Sequence, residues 1–390
     1  MSLLRSAGIY TFANGVIALV GLAMTVVLGR QLGPDGFGVW ASFFAAQNIW
    51  AGLGFMRLET RLAAATSIYQ ANRIIYAGFF VGLLITSALS TLLILIMESG
   101  SNVWLAVLSG FGLAVFDVLS QRMAYEGKQL AVLGARCARI FLPLIVAVAA
   151  ALAGENVTKI ILWHGGVGIV VPLIIWGRWI APQRWWRLSV GVVWHYRHGL
   201  LPSVIMSLLN GIWINGMTPA LNHFATSSLA GQFAMVQRLV GGVLGLLSTA
   251  ITLTMLKRDF VEVHWATIRK VLTINVMISI SLCLLLAIPL LSEAGRWLGV
   301  DWTVEPPIYW AACSFFTCSF AIGAISVIAI RLHDEWFLAF WQLAALVCWV
   351  IIYSLMPSEK FVVPALWIGS AMYILLGLRW RYLATNKGKK

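Results

Sequence analysis

The stretch Gly29-Arg30-Gln31-Leu32-Gly33-Pro34-Asp35-Gly36-Phe37-Gly38 decides how this chain is read. It separates two apolar runs, 7–29 and 36–56, each close to the roughly 20 mostly apolar residues that a helix needs to cross a bilayer. Glycine and proline in such density break a helix. The stretch therefore predicts the tight turn of a transmembrane helical hairpin, with Gln31 to Asp35 at its tip.

Working outward, composition points the same way. The chain has 390 residues, 61% hydrophobic and 11% charged, with a mean hydropathy of +0.89. A soluble domain carries about 25% charged residues, so lipid must form part of the solvent here. A net charge of +13 would suggest nucleic acid in a soluble chain. In a membrane chain it is the Lys/Arg excess of cytoplasmic loops, and no nucleic-acid partner is expected. The first apolar run is too long for a signal-peptide core and lacks a small-residue cleavage site, so no cleavable signal is read. Cys137, Cys283, Cys313, Cys318 and Cys348 show no metal-type spacing and read as thiols within or beside the spans.

Breakers and charges mark out twelve spans: 7–29, 36–56, 74–97, 103–121, 134–153, 160–178, 199–221, 229–256, 271–291, 307–330, 336–356 and 361–379. The fifth has a short apolar part containing Pro143. It reaches spanning length only if Arg136 and Arg139 snorkel to the interface. With the amino terminus in the cytoplasm, only Arg30, Lys159, Arg296 and Lys360 fall on the outer side and Arg238 within a span. All the other basic residues of the 27 then face the cytoplasm. A miscounted early span would move every later loop across, so the positive-inside rule supports twelve spans with both termini inside. The outer connections are short and leave no room for a catalytic domain. Trp176, Trp179, Trp185, Trp186 and Trp194 around the central loop read as an interfacial aromatic belt.

The expected fold is an all-α integral membrane protein of about twelve transmembrane helices, in two six-helix lobes around a central cavity. The lobes are 1–180 and 199–390, joined by the basic cytoplasmic segment 181–198. A weak internal similarity supports the division. Asn14-Gly15 and Gly38-Val39-Trp40-Ala41 in the first half echo Asn210-Gly211 and Gly231-Gln232-Phe233-Ala234 in the second, with spacings that differ by three residues. Parallel repeats of this kind imply alternating access.

The turn Arg30-x-Leu32-Gly33-Pro34-x-x-Phe37-Gly38 after the first span resembles the polysaccharide-exporter branch of the multidrug/oligosaccharidyl-lipid/polysaccharide flippase superfamily. That resemblance implies paired six-helix lobes and a bacterial inner-membrane location. It also implies transport of a polyprenyl-diphosphate-linked oligosaccharide, an O-antigen or exopolysaccharide unit, from the cytoplasmic to the periplasmic leaflet. The implied partners are that lipid-linked substrate, membrane lipids and other polysaccharide-assembly membrane proteins.

Ionisable residues inside spans are costly and mark function or pairing. Arg238, Asp117 and His164 qualify. Arg238 has two readings: a bidentate ligand for the substrate pyrophosphate, or the ion-pair partner of Asp117. Arg30 and Arg57 could add phosphate contacts at the span ends, or serve as a snorkelling cap and a positive-inside charge. Asn14, Gln47, Asn48, Asn210 and Gln237 are amides that can bond sugar hydroxyls or neighbouring helices. Asp117 and His164 are the candidates for a coupling ion. The chain has no Walker motif and no zincin, Cys-x-x-Cys or nucleophile-elbow pattern, so no cofactor and no enzyme activity are expected. Three alternatives stand beside the flippase: a cation-coupled multidrug exporter, a membrane glycosyltransferase or polysaccharide polymerase/ligase, and a scaffold of a cell-envelope complex.

Overall fold

The break in the first hairpin needs only one residue. In a computed structural model of the chain, α1 runs from Leu3 to Ala51 as two helical stretches that meet at Gly33, whose φ is 65° and ψ 177°. That backbone region is open essentially to glycine alone. Pro34 follows as the first residue of the second stretch, where its missing N–H costs nothing. The indole N–H of Trp302 donates to the carbonyl of Gly29 at 3.1 Å, satisfying one of the acceptors stranded at the end of the first stretch. The structure describes residues 3–56, 58, 67–96, 102–126, 128–179, 186–245, 247–248, 265–291, 302, 304–323, 335–356 and 360–387.

The remaining helices follow the apolar runs. They are α2 (Ile68–Ile96), α3 (Val103–Tyr125), α4 (Gln129–Leu152), α5 (Val157–Trp179), α6 (Trp186–Asn215), α7 (Met217–Phe224) and α8 (Ser227–Val236). After a π-helical turn at Gln237–Gly241 come α9 (Trp265–Leu291), α10 (Pro306–Gly323), α11 (Glu335–Leu355) and α12 (Val362–Lys387). Among the described residues, six helices are long and apolar enough to cross a membrane: α2, α3, α5, α9, α11 and α12. The chain is an all-α, multi-pass membrane protein.

Two expectations are corrected, and the seventh span, which holds Pro219, is bent by 57° between α6 and α7. Pro219 cannot donate to the carbonyl of Asn215, and Gly216 occupies the corner. Arg139 does not snorkel. It turns inward from α4 to form an ion pair with Asp117 of α3, which explains how a helix with an apolar part of only Cys137–Leu152 tolerates the charge. Trp176 is not part of an interfacial belt. It is 5% exposed and stacks on Phe79 at 4.2 Å, in a cluster with Phe55, Phe111 and Tyr76. Trp194, by contrast, is 68% exposed, as a belt residue would be.

The chain forms two compact units, one of residues Val39–Ala220 and the other of Met1–Gly38 with Leu221–Lys390. The helical stretch before Gly33 thus groups with residues 221–390, and α6 with residues 39–220. In the 39–220 unit, α6 packs along α2, and Ser207 of α6 donates to the carbonyl of Gly52 at 3.0 Å. In the other unit, the end of the first helical stretch at Gly29 is held by Trp302. There α10 and α12 are joined by Ser314 to Ser370 and Ser319 to Tyr373, each at 3.1 Å. The indoles of Trp341 and Trp349 each donate to a backbone carbonyl of α12 at 3.0 Å. Such bonds are the polar glue of membrane helices.

Candidate functional site

The most conspicuous irregularity among the described helices falls at Gln237-Arg238. α8 starts cleanly, with Thr226 as its N-cap accepting from the N–H of Leu229 at 3.2 Å. At Gln237 the helix widens into a π-turn, closed by the N–H of Gly242 donating to the carbonyl of Gln237. Wide turns of this kind are frequent at functional sites, and the extra residue rotates the following side chains off the regular stripe. Gln237 and Arg238 lie on this turn and are half-buried, whereas Val236, Leu239 and Val240 around them are buried. A guanidinium within a span carries its charge at any physiological pH and offers a planar fork of donors. Sequence composition alone singled out the Gln237-Arg238 pair; no residue pattern announces a π-turn.

In the 39–220 unit the candidate residues form a closed polar contact. Gln47 is 0% and His164 1% exposed, and the ring Nε2 of His164 lies 3.2 Å from the Gln47 side-chain oxygen. Trp40, Phe43 and Phe44 present their rings edge-on to the imidazole at 5.7–5.8 Å. The helices come this close because glycines line the crossing. A Cβ on Gly112 would sit 2.0 Å from the Gly168 carbonyl oxygen, and one on Gly110 would sit 2.6 Å from that of Gln47. The contact ties α1 to α5.

The other candidates are dispersed. Asp117 is occupied by Arg139. Asn48 donates to the carbonyl of Phe44 at 3.0 Å, one turn back in its own helix. Arg30 and Asn210 are exposed. Arg57 and the side chain of Asn14 lie outside the described residues. Among the described residues no group of three or more His, Cys, Asp or Glu could hold a metal ion.

The turn that opened the sequence reading is a close-packed backbone crossing. A Cβ on Gly38 would lie 1.8 Å from the carbonyl oxygen of Ser227, and one on Gly231 would lie 2.1 Å from that of Pro34. Pro34 is four residues before Gly38, and Ser227 is four before Gly231. The contact is reciprocal, and it joins the two glycines that head the internal similarity. Met235 packs on Gly29, Phe37 meets Trp302 edge-on at 5.6 Å, and the N–H of Glu305 donates to the side-chain oxygen of Gln232 at 3.3 Å. Sequence reasoning missed Trp302 and Gln232 here, since nothing local ties either to the turn.

Fold and site together define a helical multi-pass membrane protein with a charged, irregular helix in one unit. By sequence, no protein-family model and no curated protein matches it. By structure, it has the fold of a multidrug resistance MATE family transporter of the MOP superfamily in an inward-facing conformation. The TM-score is 0.54 at 14% identity, over 97% of this chain and 99% of that one. A eukaryotic MATE transporter, AtDTX14, aligns over 98% of both chains at 13% identity with a TM-score of 0.44. The MATE transporter ClbM aligns over 100% of this chain and 97% of its own at 16% identity, with a TM-score of 0.39.

Proposed function

We propose that the chain is a MOP-superfamily flippase that moves a polyprenyl-diphosphate-linked oligosaccharide from the cytoplasmic to the periplasmic leaflet by alternating access. The lobes 1–180 and 199–390 would be its moving parts. The observation that carries the proposal is the basic π-turn. Arg238 is a fixed positive charge in a span, on an irregular turn, next to an amide that can bond sugar or phosphate oxygens. A substrate with a pyrophosphate inside the bilayer needs such a group. Asp117, the carboxylate that a cation-coupled exporter could use, is neutralised by Arg139.

A second reading, a cation-coupled multidrug exporter, draws its support from the fold neighbour, which is a multidrug resistance transporter. A deletion strain separates the two. The flippase reading expects surface polysaccharide to be lost and sugar-loaded carrier to collect on the inner leaflet, with drug sensitivity unchanged. Normal polysaccharide together with raised drug sensitivity would replace it by the exporter. Membranes unable to build the lipid-linked unit at all would point to an enzyme.

A further inference from the structure

Two of the five thiols meet where α9, one of the long apolar helices, packs on α10. Cys283 of α9 and Cys313 of α10 are each 4% exposed, and their side chains are hydrogen-bonded to each other. Both helices belong to the same compact unit. On α10, Tyr309, Cys313 and Thr317 follow one another at intervals of four residues and so share a face. All three turn to the same residue of α9. The Tyr309 hydroxyl donates to the carbonyl of Cys283, and Cys313 and Thr317 both hydrogen-bond the Cys283 thiol. Tyr309 bonds Cys313 as well. Directly after Cys283, Leu284 and Leu285 are 56% and 67% exposed, which on a helix this apolar is the side that meets lipid.

We infer that Cys283 and Cys313 are a redox modification site, a dithiol that a lipid-soluble quinone oxidises to a disulfide bridging α9 and α10. Two S–H bonds break and one S–S bond forms. Both electrons and both protons pass to the quinone, which departs as hydroquinone. The groups are uncharged before and after, so no ion is left in a span, where one would be costly. Access selects the oxidant: both sulfurs are shut off from water, and lipid begins at the next residue of α9. A disulfide needs its sulfurs about 2.05 Å apart, on Cα atoms no more than about 7 Å apart. Paired thiols on packed neighbouring helices start close to that geometry. Tyr309 and Thr317, one turn to either side of Cys313, hold the register of α10 against Cys283 and keep the sulfurs opposite each other. Cys318 lies on another face of α10 and bonds Ser370 of α12 instead, which makes it the control. The bridge lies one turn from Phe316, whose ring rests against Gly241 of the π-turn, so oxidation pins the helix behind Arg238. As a control on transport this rests on the flippase reading; the bond itself does not.

The test needs no substrate. Membranes holding the full chain are treated with decylubiquinone, dissolved in SDS and reacted with a polyethylene-glycol maleimide, whose gel shift counts free thiols. The quinone lowers the count in the wild type from five to three, and a membrane-permeant dithiol added afterwards restores five. Cys283→Ser and Cys313→Ser each start at four and stay at four, whereas Cys318→Ser starts at four and falls to two. Oxidised wild type also unfolds at a higher temperature than the reduced protein, because closing the loop between the two helices restricts the unfolded chain. Cys283→Ser shows no such rise. A wild-type count that stays at five overturns the site, as does a loss of two thiols in Cys283→Ser. A loss that the dithiol does not reverse would mark addition of the quinone to sulfur, and a band at twice the mass on a non-reducing gel would mark a bond between chains. Either of those overturns it too.

Discussion

At Arg238 the geometry of the side chain can be separated from its charge. If the guanidinium grips a pyrophosphate, Arg238→Lys keeps the charge, loses the fork and transports poorly, and Arg238→Ala hardly transports at all. Both proteins are expected at normal levels in the membrane, measured by quantitative blotting beside surface polysaccharide. Equal activity of the Lys variant and the wild type would leave Arg238 a generic charge. Asp117 and Arg139 call for the opposite design. Removing one charge leaves the other unpaired within the span, at a cost of roughly 2–3 kcal/mol for a partly open pair. Asp117→Asn combined with Arg139→Gln regains most of that, as a double-mutant cycle on thermal unfolding in detergent would read. The two arginines were equally visible in the sequence, but their neighbours were not. Arg139 looked like an interfacial residue because nothing in an apolar run tells which way each helix face turns. Asp117 was legible as a residue needing a partner, and the partner was settled only by the packing of α3 on α4.

At the scale of single elements, local chemistry was readable and long-range chemistry was not. Gly33-Pro34 announces a break because both residues act on their own backbone. Gly33→Ala is therefore expected to cost about 1–3 kcal/mol of stability through strain alone, with no steric clash, since nothing lies within 4 Å of a Cβ there. Thermal unfolding of the purified variant checks this. The cap on the same break comes from Trp302, 273 residues away, and no local rule finds it. The similarity between Gly38 and Gly231 was visible as a pattern, while their contact was not. The connection between α3 and α4 holds a small charge cluster. Glu126 meets Lys128 at 2.7 Å and Arg122 at 2.8 Å. The Lys128 hydrogen bond, followed by the pull of the Arg122 and Lys128 charges, outweighs desolvation and holds its carboxyl below the usual range. A depressed carboxyl stabilises the folded form above its unfolded pKa and loses that contribution as the pH falls through the folded one. Proteolysis or hydrogen exchange around 122–129 is thus expected to quicken below the ordinary carboxylate range. Glu126→Gln should remove the dependence.

For the whole molecule, class and span number came from quantities that need no packing: length of apolar runs, charge by side, and breakers. The expected topology puts Lys159 and Lys360 outside and both termini inside. Single cysteines at 159 and 360 are expected to react with an impermeant reagent in intact cells, and cysteines near either terminus only after permeabilisation. Reaction of a terminal cysteine in intact cells would invert the assignment. What could not be foreseen was the trade of first helices between the units, because the internal similarity marks two halves without saying which helix lies against which.

That trade bears on how the protein is made. The unit of residues Val39–Ala220 has all of its chain in the membrane before the second half is synthesised. The helical stretch before Gly33 has its home in a unit built otherwise from residues 221 onward. At translation rates of about 5–20 residues per second, that helix waits roughly 10–30 s in the bilayer without its final neighbours. An insertase or lipid must shelter it during that interval. A nascent chain arrested just after residue 220 is expected to show a protease-resistant core from about residue 39, with the leading helix clipped away. Quality control would then sense this helix, made well before the residues it packs against, whenever residues 221 onward fail to arrive.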